Sequence, residues 1–256
     1  MNYLLENYYK TCKSLTEQYG FIKKGQAFVR VVNDVMQNFL IERMRSGKSC
    51  RVVFSVLPFC MRIEKEYICG GVEAQSLRMF EPYQWYEADE WHYDPKSTQS
   101  MDACITEISR FIASYLLPFF ECANSSKTAL SAWFELDKHF QHTRQICLQL
   151  GGIEDAAAPI LDPLSYCRNR YFLALKNGKY ALALKSLRIL LETCKKNYYY
   201  MVDIGISDED RERREASIAE LTSEAEHLQA YDVAYFEKLL SENEKYSKII
   251  LQKLIK

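Results

Sequence analysis

Apolar residues recur at helical spacing over 2–19, where Leu5, Tyr8, Cys12, Leu15 and Tyr19 share one face and Gly20 follows as a stop. The pattern then changes. Phe28-Val29-Arg30-Val31-Val32 is β-branched and aromatic, and Asn33-Asp34 is a turn signal. Residues 35–43 alternate, with Val35, Phe39 and Ile41 on one face. Ser46-Gly47-Lys48 marks the next turn, and Cys50 to Leu57 is apolar on both faces, as in a central strand. Such short connections predict antiparallel hairpins. Ile63–Ile68 and Ser76–Phe80, either side of the Gly70-Gly71 break, fit further strands. An aromatic segment with Trp85, Tyr86, Trp91 and Tyr93 ends at Asp94-Pro95.

Residues 98–117 carry the clearest helical stripe: Met101, Cys104, Ile105, Ile108, Phe111, Ile112, Tyr115 and Leu116, with Pro118 expected to end or kink it. A second helix is predicted over 127–149, stopped by Gly151-Gly152. The stretch 151–163, with two glycines, two prolines and an alanine run, reads as a linker. Beyond it the pattern is all-helical. Leu164–Lys176 and Lys179–Lys196 flank Asn177-Gly178 and predict an antiparallel helical hairpin. Ser207 with Asp210 resembles a capping box opening a long charged helix, whose stripe is Ile218, Leu221, Ala225 and Leu228. A last helix is predicted over 232–254. The expected fold is α+β: an antiparallel sheet of four or five strands with flanking helices, followed by a C-terminal helical bundle. The expected organisation is an α+β domain over 1–150, a linker over 151–163 and a helical domain over 164–256.

Composition narrows the function. The 256 residues are 48% hydrophobic and 26% charged, with a formal net charge of -1, which excludes a disordered chain. The balance is local too, with 17 residues of each sign in 1–150 and 16 basic against 17 acidic in 151–256. A general nucleic-acid binder carries a basic excess, so this balance argues against one. The nine cysteines are scattered, without a C-x-x-C pair, and several sit in apolar stripes, which suits free thiols in a reducing cytosol. The start, Met1 to Glu6, lacks the basic and apolar regions of a secretory signal. The most apolar run, Phe111 to Phe120, is too short for a bilayer that needs about 20 residues. A cytoplasmic location without membrane association is expected.

The run Tyr19-Gly20-Phe21-Ile22-Lys23-Lys24-Gly25-Gln26-Ala27-Phe28-Val29-Arg30 follows the pattern G-F-x-K-K-x-x-x-F-x-R. The apolar central strand, the Trp85 region and a helix ending Leu116-Leu117-Pro118-Phe119-Phe120 come after it in order. In these features residues 5–135 resemble the bacterial domain-of-unknown-function family 4304. The resemblance implies a helix, an antiparallel sheet and further helices in a bacterial cytoplasmic protein, and it brings no catalytic residues. Residues 170–190, with Ala174, Gly178, Tyr180, Ala183 and Leu187, are similar to one tetratricopeptide-like hairpin, without a second copy at the expected period.

Candidate chemistry is sparse. Gly47-Lys48-Ser49 invites a phosphate-loop reading, but that loop needs a glycine where Glu42 stands, so a hairpin turn is expected. Arg43, Arg45, Lys48 and Arg51 cluster there, either as an anion or nucleic-acid contact or as charges protecting a sheet edge. Glu135, His139 and His142 share a helix face, yet no further ligand stands at metal spacing, so no metal and no cofactor is expected. No cysteine carries a nucleophile signature, and neither G-x-S-x-G nor G-x-G-x-x-G occurs. Trp85 and Trp91 either border a pocket or pack over the sheet. Tyr198-Tyr199-Tyr200 suits an interface or a helical core. The leading expectation is a non-enzymatic protein-interaction module, acting through the C-terminal helices on a partner or on itself. The alternatives are an enzyme with a small-substrate pocket near 83–93, and anion or nucleic-acid binding through the basic hairpin 43–51.

Overall fold

The computed structural model describes residues 3–63, 90–132, 135 and 163–255. The strands expected over 63–68 and 76–80, Trp85, the helix expected beyond 132, and the linker up to its last residue, Pro163, therefore fall outside the described residues. Helix α1 (Tyr3–Thr16) ends in a 3-10 turn, and Gly20 takes a left-handed conformation at φ 78° that a side chain would strain. Five strands follow: β1 (Ile22–Lys24), β2 (Ala27–Val32), β3 (Val35–Arg43), β4 (Ser49–Pro58) and β5 (Trp91–His92). They form one sheet in the order β1-β2-β3-β4-β5, each neighbour antiparallel. The central pair β3–β4 runs in register from Val35 opposite Pro58 to Arg43 opposite Cys50.

Alternation along the strands sends side chains into two separate clusters. Phe28, Val35, Phe39, Ile41, Val52, Phe54 and Val56 pack with α1, with α2 (Thr98–Phe111) and with α3 (Leu117–Cys122). Ala27, Val29, Met36, Leu40, Val53 and Leu57 point the other way. They pack with α4 (Pro163–Lys176), α5 (Tyr180–Asp203), α6 (Asp208–Gln229) and α7 (Val233–Ile255). Helices thus cover both faces of the sheet, so β3 is buried without a break from Val35 to Ile41 despite its alternating sequence. The strands and the C-terminal helices contribute to one buried cluster, on either side of the sequence boundary at 151–163.

Two polar residues inside β2 and β3, Arg30 and Gln37, form a bonded layer. Gln37 Nε2 donates to the carbonyls of Phe120, at 2.6 Å, and Ala123, at 3.0 Å, and its Oε1 accepts from Arg30 Nε. Arg30 also bonds the Tyr19 carbonyl and pairs with Glu121 at 2.7 Å. These contacts satisfy carbonyls at the end of α3 that the helix itself leaves open.

Pro118 does not end the helix. Over Ile112–Leu116 the backbone widens into a π-helical turn in which the Leu117 N–H reaches the Ile112 carbonyl. Pro118 then falls in the first turn of α3, where a missing N–H costs nothing. The continuous stretch Thr98–Cys122 is long and apolar enough, by length and composition, to cross a bilayer; here its apolar face lies against the sheet.

Helices α4 and α5 form the expected hairpin, with Gly178 at φ 65° in the turn. Helix α6 opens as expected, the Ser207 hydroxyl accepting from the Asp210 N–H at 3.2 Å. The α5–α6 hairpin is longer than the core it covers. Helix α5 buries Ala183, Ser186, Leu187 and Leu190, and α6 buries Glu224, Ala225 and Leu228. None of residues 191–223 is buried. At 1.5 Å per residue the outer part of α5 extends about 20 Å past its last buried side chain.

Candidate functional site

The residues singled out by sequence are spread over three places. Arg43, Arg45 and Lys48 are exposed around the β3–β4 turn, where Gly47 takes φ 68° and its N–H bonds the Met44 carbonyl. This is a hairpin turn and no phosphate cradle. Arg51 is tied across the strand pair to Glu42 at 2.7 Å, and Ser49 donates to Glu90 beside it, so carboxylates interrupt the basic cluster. Trp91 is buried on β5 and packs against Phe111 with ring centroids 5.5 Å apart. Trp85 lies outside the described residues. Glu135 is exposed, while His139 and His142 fall outside the described residues. Among the described residues no group of three His, Cys, Asp or Glu side chains is placed to hold a metal ion.

Three of the buried thiols, Cys12, Cys50 and Cys60, are poorly suited to nucleophilic chemistry. Burial pushes Cys12 and Cys60 up to about 12, which keeps them protonated near neutrality. Cys50 and Cys104 face each other with sulfurs 3.7 Å apart, and that contact and burial hold Cys50 far above the ordinary thiol range.

Two other features stand out. The first is a cavity of about 680 Å³ bounded by the turn Phe59–Met61 and by α4, α5, α6 and α7. Helix α7 fixes its floor by reading the backbone of that turn. Asn243 donates to the Cys60 carbonyl at 2.9 Å, and Ser247, one helical turn on, donates to the Phe59 carbonyl and accepts from the Ile63 N–H. The turn places Arg62 at φ 60°, a backbone conformation that a side-chain-bearing residue holds only at a cost. Its guanidinium lies over the Tyr246 ring, 4.2 Å from the centroid.

Glu224 lines the same cavity and is 4% exposed. Burial pushes its carboxyl up to about 7, opposed first by the hydroxyl of Tyr171, then reinforced by the neighbouring Glu220 and opposed more weakly by Arg168 and His227. Its Oε2 and the Tyr171 hydroxyl are both buried without a hydrogen-bond partner among the described residues. An unpaired buried carboxylate is costly, and such groups concentrate at functional sites. The sequence held one sign of it. Glu224 lies three residues after Leu221 and four before Leu228, an acid at apolar spacing within the stripe of α6.

The second feature is the outer face of α5. Ile189, Tyr200 and Ile204 repeat at intervals of eleven and four, which places them on one side of the helix, with Tyr199 adjacent. Ile189 is 43% exposed, and the other three are 60 to 65% exposed. The tyrosine cluster noted in the sequence therefore divides: Tyr198 turns inward to bond Glu215 on α6, while Tyr199 and Tyr200 face outward. Comparison with family models, with curated proteins and with solved structures finds no match to the chain.

Proposed function

We propose that the protein is a non-enzymatic interaction module whose α5–α6 hairpin docks a helix of a protein partner. The observation that carries this reading is the outward stripe of Ile189, Tyr200 and Ile204, on a helix that extends beyond the last residue it buries. Isoleucine and tyrosine at these exposures gain by being covered, and tyrosine is favoured at interfaces because its ring buries area while its hydroxyl stays wet. Ile189 at one end and Tyr200 with Ile204 at the other span about 22 Å of this face, with Thr193 and Lys196 between them, a length that matches roughly four turns of an amphipathic helix. The occupant we favour is therefore helical and belongs to another protein.

Photo-crosslinking tests this in cells that produce the chain naturally. A benzophenone amino acid in place of Tyr200 is expected to give one discrete adduct, and none when it replaces Glu237 on α7. The partner so identified, once purified, should bind the Ile189→Glu and Tyr200→Glu variants at least tenfold more weakly than the parent chain. No adduct at 200, or undiminished affinity, overturns the reading. An adduct of the chain with itself overturns the separate partner and makes the occupant a second copy.

A further inference from the structure

We infer that the cavity beneath the hairpin binds a small organic cation, an ammonium group carried on an apolar body, with Glu224 as its counter-ion. This site is separate from the outward stripe of α5 and does not depend on it. The volume of about 680 Å³ falls within the range of small-molecule pockets. Phe172, Leu190, Leu221 and Leu239 supply apolar wall for the ligand body. The polar part of the wall has a direction. Among the described lining residues Glu220, Glu224 and Glu242 stand against Arg62 and Arg168, an excess of one acid that a monocation neutralises. Arg62 is already engaged over the Tyr246 ring. The group with unused capacity is the Glu224 carboxyl: the side chain lines the cavity, is nine-tenths buried, has the Tyr171 hydroxyl beside it, and closes no hydrogen bond at Oε2 among the described residues. A carboxylate in that position accepts strongly from a charged N–H donor, and charge-assisted bonds of this kind are about twice as strong as neutral ones. The raised proton affinity of Glu224 is the same deficit seen without a ligand: near neutrality a proton and a cation compete for the carboxyl.

The test uses the full chain and three probes of one shape, phenethylammonium, 2-phenylethanol and 3-phenylpropionate, followed by calorimetry at pH 8. Phenethylammonium is expected to bind at least tenfold more tightly than the alcohol, and the carboxylate more weakly than either. Glu224→Gln should abolish the preference for the cation, while Glu237→Gln, on the exposed side of α7, should keep it. Circular dichroism establishes that both variants are folded. A second measurement needs no variant. At pH 6.5 the entering ammonium displaces the proton on Glu224, so the binding heat should change with the ionisation enthalpy of the buffer. Other titratable groups near the carboxylate are Glu220 and His227 on its own helix, Tyr171 and Arg168 on α4, and Tyr235 on α7. Of these, burial raises Tyr171 and Tyr235 above the ordinary tyrosine range, so neither releases a proton near that pH. Equal affinity for cation and alcohol, preference for the carboxylate, buffer-independent heat, or no binding of any probe overturns the inference.

Discussion

Gln37 Nε2 lies 2.6 Å from the carbonyl oxygen of Phe120, joining the middle of the sheet to the last turn of α3. The amide also reaches the Ala123 carbonyl and accepts from Arg30, so a single side chain holds three backbone and side-chain groups in a buried layer. Gln37→Leu keeps much of the volume but leaves two carbonyls without their donor. The expected loss is about 2–3 kcal/mol, read as a lower urea midpoint at unchanged slope. Gln37→Glu should cost more, because it sets a carboxylate against the same carbonyls. Equal stability of parent and Gln37→Leu would show that these bonds contribute nothing net.

The sheet face beneath α4–α7 makes a second prediction. In a fragment ending at residue 150, Val29, Met36, Leu40, Val53 and Leu57 lose the helices that bury them. At about 1.5–3 kcal/mol for each large apolar side chain, the loss is roughly 7–15 kcal/mol, comparable to the whole stability of an ordinary domain. The fragment should therefore aggregate or bind a hydrophobic dye, and size-exclusion chromatography should show no folded monomer. Proteolytic clipping of the intact protein within 151–163 should leave the two pieces together under non-denaturing conditions. A soluble, cooperatively folding fragment 1–150 would contradict this.

The pattern of the sequence located elements better than it located faces. Helix α1, the sheet hairpins and the α4–α5 turn at Gly178 follow from local spacing and turn residues, and they stand where the pattern put them. Gln37 falls on the same strand face as Val35, Phe39 and Ile41, but the partners that let an amide sit there, Phe120 and Ala123, come more than eighty residues later and carry no local signal. Pro118 read as a residue that ends or kinks the helix; the helix continues past it, and the disturbance takes the form of the π turn over Ile112–Leu116. Glu224 was hidden in a helix dominated by charge. Asn243 and Ser247 were likewise ordinary polar residues until the fold set them against the Phe59–Ile63 backbone.

The β3–β4 turn separates backbone from charge. Arg45 and Lys48 are exposed, so changing both to Glu should alter stability by no more than about 0.5 kcal/mol. Gly47→Ala, which adds only a methyl group, should cost about 1–2 kcal/mol, because Gly47 sits at φ 68°. The added Cβ would also lie 3.4 Å from the Arg43 guanidinium. Thermal unfolding of the two variants side by side checks the order. A low-salt filter-binding assay with the charge-reversed variant adds a functional reading. Micromolar binding of nucleic acid by the parent chain, lost in the variant, would restore the phosphate-contact reading of this hairpin.

Glu224 makes stability depend on pH in a defined window. Its carboxyl is raised from the ordinary 4.5 to about 7 in the folded protein, mainly by burial. Below about 4.5 the group is protonated in both folded and unfolded chains. Between 4.5 and 7 the unfolded chain releases the proton while the folded chain keeps it, so the folded state binds more protons and stability falls as pH rises. Above 7 both forms are ionised and the loss is complete, on the order of 3 kcal/mol. Glu224→Gln has no proton to lose at this position. Its stability relative to the parent should be near parity at pH 4 and should grow steadily to that margin by pH 8. The neighbours Glu220, Tyr171, Arg168, His227 and Tyr235 are common to both proteins, so the difference between them isolates the residue at 224. Urea unfolding of parent and variant at pH 4, 6 and 8 gives the difference directly, and two parallel profiles would mean that the carboxyl is solvated and ordinary.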